Sequence, residues 1–302
     1  MGTVHVLGSI NMDLVARVSR FPRPGETLAG ADFRMLPGGK GLNQAVAASR
    51  AGAATAMRGA VGVDPNGATL RQFLQQEKIA VEGVVVLDGV ATGTALILVD
   101  DAGENCIVVV PGANAHVSHG PSVPAFERGD ILVAPFEVPD AAILPAFTEA
   151  KSRGVFTILN PAPARNCVPT ILDQTDLLVL NETELSFFSG DGLVAESNRS
   201  RLLSSVEALA RRHRADVVAT LGAAGLVASL SGELYDHPAR DVEAVDTTAA
   251  GDTFVGSLAA RLATGHPLAD CLTFAIDAAS ICVGRPGAGP SIPNLSEILA
   301  LG

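Results

Sequence analysis

Tryptophan is missing from this chain, and tyrosine occurs once, at Tyr235, among 302 residues. Bases that stack on aromatic platforms find no support here, which speaks against a single-stranded nucleic acid partner. Positive charge is also short: 21 Lys and Arg stand against 32 Asp and Glu, a net charge of −11. That balance repels phosphate backbones and anionic bilayers, so neither nucleic acid nor membrane is expected as a partner. A small nucleotide is still allowed, because helix N-termini and metal ions supply positive potential locally. The cysteines Cys106, Cys167, Cys271 and Cys282 form no C-x-x-C pair. Their spacing suits neither a zinc site nor a disulfide framework, and all are expected as reduced thiols in the core. No apolar run approaches the length of a membrane span. Residues 1–10 carry no charged stretch ahead of their apolar residues, so no secretory leader is expected and the cytoplasm is the simplest compartment. Internal repeats, low-complexity tracts and Pro/Ser linkers are missing too.

Hydrophobic residues make up 48% of the chain, enough for a large core. The length accommodates one large α/β domain or two small ones. Short apolar runs at Val4–Leu7, 130–134, 155–159, 177–180 and 217–221 alternate with helical patterns at 41–51, 66–78, 141–151, 199–212, 251–263 and Leu268–Val283. Repeated strand–helix units predict a mainly parallel sheet covered on both faces, with ligands beyond the C-terminal strand ends. One region breaks this order. Residues 94–99 and 106–110, joined by the turn 100–104, read as a β-hairpin whose strands are apolar on both faces, which predicts burial on both sides, either outside the main sheet with a ligand on one face and a partner subunit on the other or as an ordinary pair of central sheet strands.

Motifs that carry chemistry fall at or just after the strand ends. Asp252 follows Thr247, Thr248, Ala249, Ala250 and Gly251 and opens a helical run. An Asp at a helix start is commonly a cap. The small residues before it let backbone N–H groups approach a ligand, which suits a phosphate cradle better than a plain cap. A carboxylate inside such a cradle fits a base that takes a proton from an attacking hydroxyl. Asn11 and Asp13 alternate along an extended segment and so point the same way, a donor–acceptor pair matched to vicinal hydroxyls or to local capping. The run Pro37-Gly38-Gly39-Lys40-Gly41-Leu42-Asn43-Gln44 is no Walker A loop, since Gly41 stands where Ser or Thr is required. Its glycines admit a ligand, and Asn43 sits in the first helical turn beyond them. Asn181 and Glu184 open another helix, as a cap or as oxygen ligands near Mg²⁺ and its waters. Thr220, Gly222 and Gly225 mark a strand end with room for a nucleotide. His116 and His119 form an H-x-x-H pair without a third ligand and read as loop residues.

In their order and spacing these segments resemble the ribokinase-like (PfkB-type) carbohydrate kinases. The resemblance runs from Val6-Leu7-Gly8-Ser9-Ile10-Asn11, through Pro24-Gly25-Glu26-Thr27, 38–48, Asn160-Pro161-Ala162-Pro163-Ala164 and 181–184, to 246–254 and Gly289-Pro290-Ser291-Ile292-Pro293. It implies a three-layer α/β/α fold spanning 1–302 as one domain, with a small β-sheet lid from about 12–36 and 92–112. It implies ATP-dependent phosphorylation of the terminal hydroxyl of D-ribose, with Asp252 as general base and Ala249, Ala250 and Gly251 holding the phosphoryl charge. Asn11, Asp13, Gly39, Asn43 and Glu137 match sugar-contacting positions, and Lys40 reaches a phosphate. Asn181, Thr220, Gly222, Gly225 and Gly251 match nucleotide positions, with Glu184 on the Mg²⁺ shell. A K⁺ ion is implied at Asp246, Thr248, Cys282, Arg285, Gly287 and Ser291, mostly through backbone oxygens, and a homodimer is implied through paired lids. Val255, Leu42 and Ile276 depart from the family pattern. The other readings are a kinase of the same fold for deoxyribose, fructose, a ketodeoxy sugar acid or a nucleoside, and a non-catalytic sugar-binding relative. Against the last stands the intact Gly251-Asp252, for which a pure binder has no use.

Overall fold

The computed structural model describes residues 2–118, 125–190 and 198–301. His119 and the H-x-x-H reading built on it lie outside them. The described strands and helices are β1 (Val4–Leu7), β2 (Asn11–Arg17), β3 (Asp32–Gly38), α1 (Lys40–Arg50), β4 (Thr55–Gly62), α2 (Pro65–Gln76), β5 (Ile79–Leu87), β6 (Gly93–Val99), β7 (Asn105–Val110), β8 (Ile131–Pro135), α3 (Asp140–Ser152), β9 (Phe156–Asn160), α4 (Pro169–Asp173), β10 (Leu177–Asn181), α5 (Glu182–Ser189), α6 (Arg199–His213), β11 (Asp216–Thr220), β12 (Leu226–Leu230), β13 (Glu233–His237), α7 (Ala250–Ala263), α8 (Leu268–Val283) and α9 (Leu295–Leu299).

Nine strands form the main sheet in the order β13-β12-β11-β10-β9-β8-β1-β4-β5. It is parallel from β5 to β11, and β12 and β13 run antiparallel at one edge. Ser231 and Gly232 turn the β12–β13 hairpin with φ of 50° and 86°, the double positive φ of a two-residue turn whose twist matches the strands. β8 is buried from end to end, and β10 up to its last residue, Asn181, which is exposed. Along them alternate residues face opposite ways. Val6, Val133, Ile158, Val179 and Val218 join α1, α7 and α8 in one core, while Leu7, Leu132, Leu159, Leu178 and Leu180 join α3, α5 and α6 in the other. The result is the expected three-layer α/β/α arrangement. The chain lays β1, β4 and β5 toward one edge and β8 to β13 toward the other, so strand order reverses between β1 and β8. Ligands collect at such a reversal, outside the C-terminal strand ends.

Helices α1 and α7 cross closely because small residues meet there. A Cβ on Gly256 would lie 2.3 Å from the Gln44 carbonyl oxygen and 2.6 Å from Ala47 Cβ. That contact sets the first turn of α1 against the first turn of α7.

The second sheet has the order β3-β2-β6-β7. Its root is one cross-strand row in which Asn11 pairs with Gly38 on one side and Gly93 on the other. Both neighbours of Asn11 leave their Cβ space to cleft side chains: a Cβ on Gly38 would displace the Asp13 carboxylate, 2.0 Å away at Oδ2, and one on Gly93 the Asn114 amide, 2.1 Å away at Nδ2. Beyond the root the sheet has two apolar faces. Met35, Leu14, Leu96 and Val108 are register partners in one row on the outer face, and Met35, Leu96 and Val108 are exposed. The hairpin stands outside the main sheet and is no pair of central strands; the double burial expected for it calls for a ligand on one face and a partner subunit on the other, and in the single chain β7 is exposed along its whole length. Cysteine placement also departs from expectation. Cys271 and Cys282 are buried, but Cys106 is exposed on β7 and Cys167 is only half-buried. The run 106–110 is apolar because it belongs to a sheet face, not because it lies in the core.

Candidate active site

A cleft of about 450 Å³ opens beyond the strand ends, between the first turns of α1 and α7 and beneath the inner face of the second sheet. From that sheet Asp13, Ala95, Ile97, Ile107 and Val109 point into it. Asp252 sits at its floor and is 6% exposed. The turn before it is made by Asp246, whose Oδ1 accepts the Thr248 N–H at 2.9 Å and whose Oδ2 accepts the Gly287 N–H at 2.9 Å. Ala249 then takes φ 62° as the N-cap residue and α7 begins. The N–H groups of the first helical turn have no intrahelical partner, and the positive end of the helix dipole gathers there. Both oxygens of Asp252 are held by amides. Asn43 Nδ2 donates to Oδ2 at 3.1 Å, and Gln44 Nε2 donates to Oδ1 at 3.0 Å.

Acids crowd the cleft. Burial, with Glu137 and Asp252 nearby, pushes the Asp13 carboxyl up to about 7. Glu137 accepts the Lys40 N–H at 3.0 Å and the Ser9 hydroxyl, which seats it at the start of α1. Lys40 is the counter-charge: Asp252 first, then Glu137 and Glu184, hold its ammonium above the usual lysine range against the opposing effect of burial. On the far side Asn181 and Glu184 form a reciprocal capping box at the start of α5, with Asn181 Oδ1 accepting the Glu184 N–H at 2.9 Å and Glu184 Oε2 accepting the Asn181 N–H at 2.7 Å. Burial lifts the Glu184 carboxyl above its ordinary value. The pair caps α5 and also lines the cleft.

A family model described as pfkB family carbohydrate kinase matches residues 1–295. The chain belongs to the pfkB family of carbohydrate kinases. The ribokinase of Haemophilus influenzae is 37% identical over 303 residues, covering 98% of this chain and 97% of that one. The crystal structure of a Thermotoga maritima ribokinase matches with a TM-score of 0.89 at 31% identity, covering 99% of each chain. An Arabidopsis thaliana ribokinase complexed with ribose and ATP matches with a TM-score of 0.87 at 29% identity, covering 99% of this chain and 98% of that one.

In this pfkB-family kinase the residues singled out from sequence fall into three places. Asn11, Asp13, Gly39, Lys40, Asn43, Glu137, Asn181, Glu184, Thr220, Thr248, Ala249, Gly251 and Asp252 line the cleft, and Ala250 is the first residue of α7 between two of them. Gly222 and Gly225 lie just past β11, outside the cleft wall. Gly225 is required by the fold itself: at φ 86° its Cβ would strike the His237 carbonyl oxygen at 2.1 Å. Asp246, Thr248, Cys282, Arg285, Gly287 and Ser291 come together behind the α7 turn. The Val245 N–H donates to Val283 O at 2.8 Å, Cys282 Sγ lies 3.1 Å from Ser291 Oγ, and the Arg285 guanidinium is drawn to Glu297 at 2.6 Å. Sequence reasoning missed Gln44, Asn114 and Asn160 as site residues. Asn114 Nδ2 donates to Asn11 Oδ1 at 2.7 Å and orients it from 103 residues away. The available signals were the polar neighbour of Asn43 and an Asn at the end of an apolar strand.

Proposed function

We propose that this chain acts as a ribokinase, transferring the γ-phosphoryl group of ATP to the 5-hydroxyl of D-ribose to give D-ribose 5-phosphate and ADP. The observation that carries the reading is Asp252: a buried carboxylate, held by two amides at the N-terminus of α7 and open to a polar cleft. A base within an anion cradle serves a reaction in which a hydroxyl is deprotonated as a phosphoryl group arrives. The names of the relatives supply ribose and ATP as the ligand pair.

The sugar lies against Asn11, Asp13, Gly39, Asn43 and Glu137. Asn43 Nδ2 is committed to Asp252. Asp252 takes the proton of the 5-hydroxyl, the oxygen attacks the γ-phosphorus in line, and the bond to the ADP oxygen breaks. Such a base contributes about 10²–10⁴-fold. N–H groups at Ala249, Ala250 and Gly251 meet the charge on the transferring group, each worth about 10²–10³-fold where measured in comparable sites. Lys40 reaches a phosphate. The nucleotide runs along Asn181, Thr220, Gly222, Gly225 and Gly251.

The acid excess in the cleft suits Mg²⁺, which prefers a few carboxylates plus waters and phosphate oxygens. Glu184 holds that shell, and the ion supplies neutralisation of phosphate charge. The paired loops at Asp246–Thr248 and 282–291 suit K⁺: Asp246 already ties them together, and the side chain of Arg285 is occupied elsewhere, which leaves its main-chain oxygen. A K⁺ ion held there would fix the cradle turn that Asp246 already ties. We further propose one catalytic domain across 1–302, a lid at about 12–36 and 92–112, a homodimer paired through the apolar outer lid face, and a cytoplasmic location.

A coupled assay of ADP release decides the substrate. It is run with ribose, deoxyribose, fructose, a ketodeoxy sugar acid and a nucleoside, in K⁺ and in tetramethylammonium. Ribose in K⁺ is expected to give the highest kcat/KM. Asp252→Asn is expected to lower turnover at least about 100-fold with ATP binding kept. Near-normal turnover in that variant removes the assigned role.

A further inference from the structure

Gln44 follows Asn43 on α1 and is 0% exposed. Its Nε2 carries two hydrogens and meets two acceptors, Asp252 Oδ1 at 3.0 Å and Asn160 Oδ1 at 3.0 Å. Asn160 in turn donates from Nδ2 to the main-chain carbonyl of Val179 at 2.9 Å. That last bond fixes the direction of the whole chain. A carbonyl oxygen only accepts, so Asn160 turns Nδ2 toward it and Oδ1 away. Asn160 Oδ1 and the carboxylate also only accept, so Gln44 turns Nε2 toward both. A flip of either amide sets acceptor against acceptor.

One atom is left over. Gln44 Oε1 is buried and has no partner. An orphaned acceptor in the core is unfavourable, and a methionine would fill the same space without it. A glutamine kept only for packing has no reason to carry that burden, whereas one whose two hydrogens are both needed does.

We propose that Gln44 is the positioning residue of Asp252, and that Asn160, locked to the main chain of β10, dictates which way Gln44 faces. Asn43 anchors Oδ2 and Gln44 anchors Oδ1, so the carboxylate plane cannot turn. Neither anchor brings a charge of its own, so both act on the direction of the carboxylate. This inference rests on the reading of Asp252 as the base.

Two variants test it in the full chain. Gln44→Met removes both donors at similar volume; kcat is expected to fall about 10–100-fold, with KM for sugar and for ATP changed less than about threefold, as a misplaced group affects chemistry more than binding. Gln44→Glu keeps the shape but sets a second carboxyl beside Asp252. Two such groups share a proton that must leave before the base works. The acidic limb of kcat against pH is therefore expected to move up by about one unit or more, with activity returning as pH rises. The other titratable groups around Asp252 are Lys40 on α1, Asp13 on β2, Glu137 after β8, Glu184 on α5 and the Cys282 thiol on α8; these are common to both proteins and set the baseline. A folded Gln44→Met with kcat within twofold of the parent overturns the proposal, as does an unmoved pH limb in Gln44→Glu. Should Gln44→Met fail to fold, the pH limb of Gln44→Glu decides alone. Asp252→Asn separates the two levels: if it keeps turnover, the base reading falls and this inference with it; if it loses turnover while both Gln44 variants behave as the parent, this inference alone falls.

Discussion

Asp13 is the residue in the cleft whose charge is most finely balanced. Its carboxyl titrates at about 7 in the folded protein against 3.8 in a free chain. Between those values the folded state holds a proton that the unfolded chain has shed, so stability falls as pH rises through that window and is lowest above 7. Asp13→Asn mimics the protonated form. It is expected to raise Tm by roughly 2–4 °C at pH 8 and by almost nothing at pH 4, read from thermal melts of the ligand-free protein. The same variant is expected to raise KM for the sugar at least about tenfold, since a hydrogen bond to a charged group is worth about 1.5–3 kcal/mol. Lys40 and Asp252 were legible in the sequence because glycines and small residues precede them, Asn43 because it follows the same glycines in a first helical turn, and Asn11 and Asp13 because they alternate along an extended segment. Gln44, Asn114 and Asn160 were not legible as site residues. Their partners lie 208, 103 and 116 residues away, and an amide in a helix or at a strand end looks the same whether it points to solvent or to a carboxylate.

Secondary elements repeat the lesson at larger size. The alternation of strands and helices, and with it the layered fold, was open to reading because β1, β8, β9, β10 and β11 are short apolar runs buried on both faces. β4 and β5 escaped because polar residues and glycines interrupt them. Arg58 within β4 is buried with its guanidinium 4.0 Å over the Phe126 ring and 3.3 Å from His5 Nδ1, contacts that no local pattern announces. The crossing of α1 and α7 is the element-scale device that brings Asn43 and Gln44 to Asp252. Gly256→Ala places a methyl 2.3 Å from the Gln44 carbonyl oxygen and forces the helices apart. It is expected to cost about 1–3 kcal/mol of stability and to lower kcat about tenfold, since small misplacements at a reacting centre are expensive. Denaturant melts and steady-state rates on the same preparation check both, and a loss of stability with unchanged kcat would separate the crossing from the chemistry.

For the whole molecule the decisive surface is the outer face of the second sheet, the proposed lid. Leu96, Val108 and Met35 are 46%, 55% and 50% exposed in one continuous row, a patch of the kind that marks an interface. Val108 points away from the cleft while its neighbours Ile107 and Val109 line it. Val108→Asp is therefore expected to convert a dimer to a monomer in sedimentation experiments without altering any cleft side chain. A rise of about fivefold or more in sugar KM would accompany it if lid pairing holds the roof in place, because an interface that orders a loop contributes to binding through its ordering cost. A parent protein that sediments as a monomer would reject the paired lids outright.

The row Gly38–Asn11–Gly93 at the foot of the lid separates what can vary from what cannot. Both excursions of the chain, through β2–β3 and through β6–β7, are pinned where Asn11 and Asp13 meet their glycine neighbours. Their far ends, at 18–31 and 100–104, touch no part of that row. The length of the proposed lid is thus a free parameter: residues can be gained or lost at the tips, or a label grafted onto the 100–104 turn, while the Asn11–Asp13 register proposed to meet the sugar stays where it is.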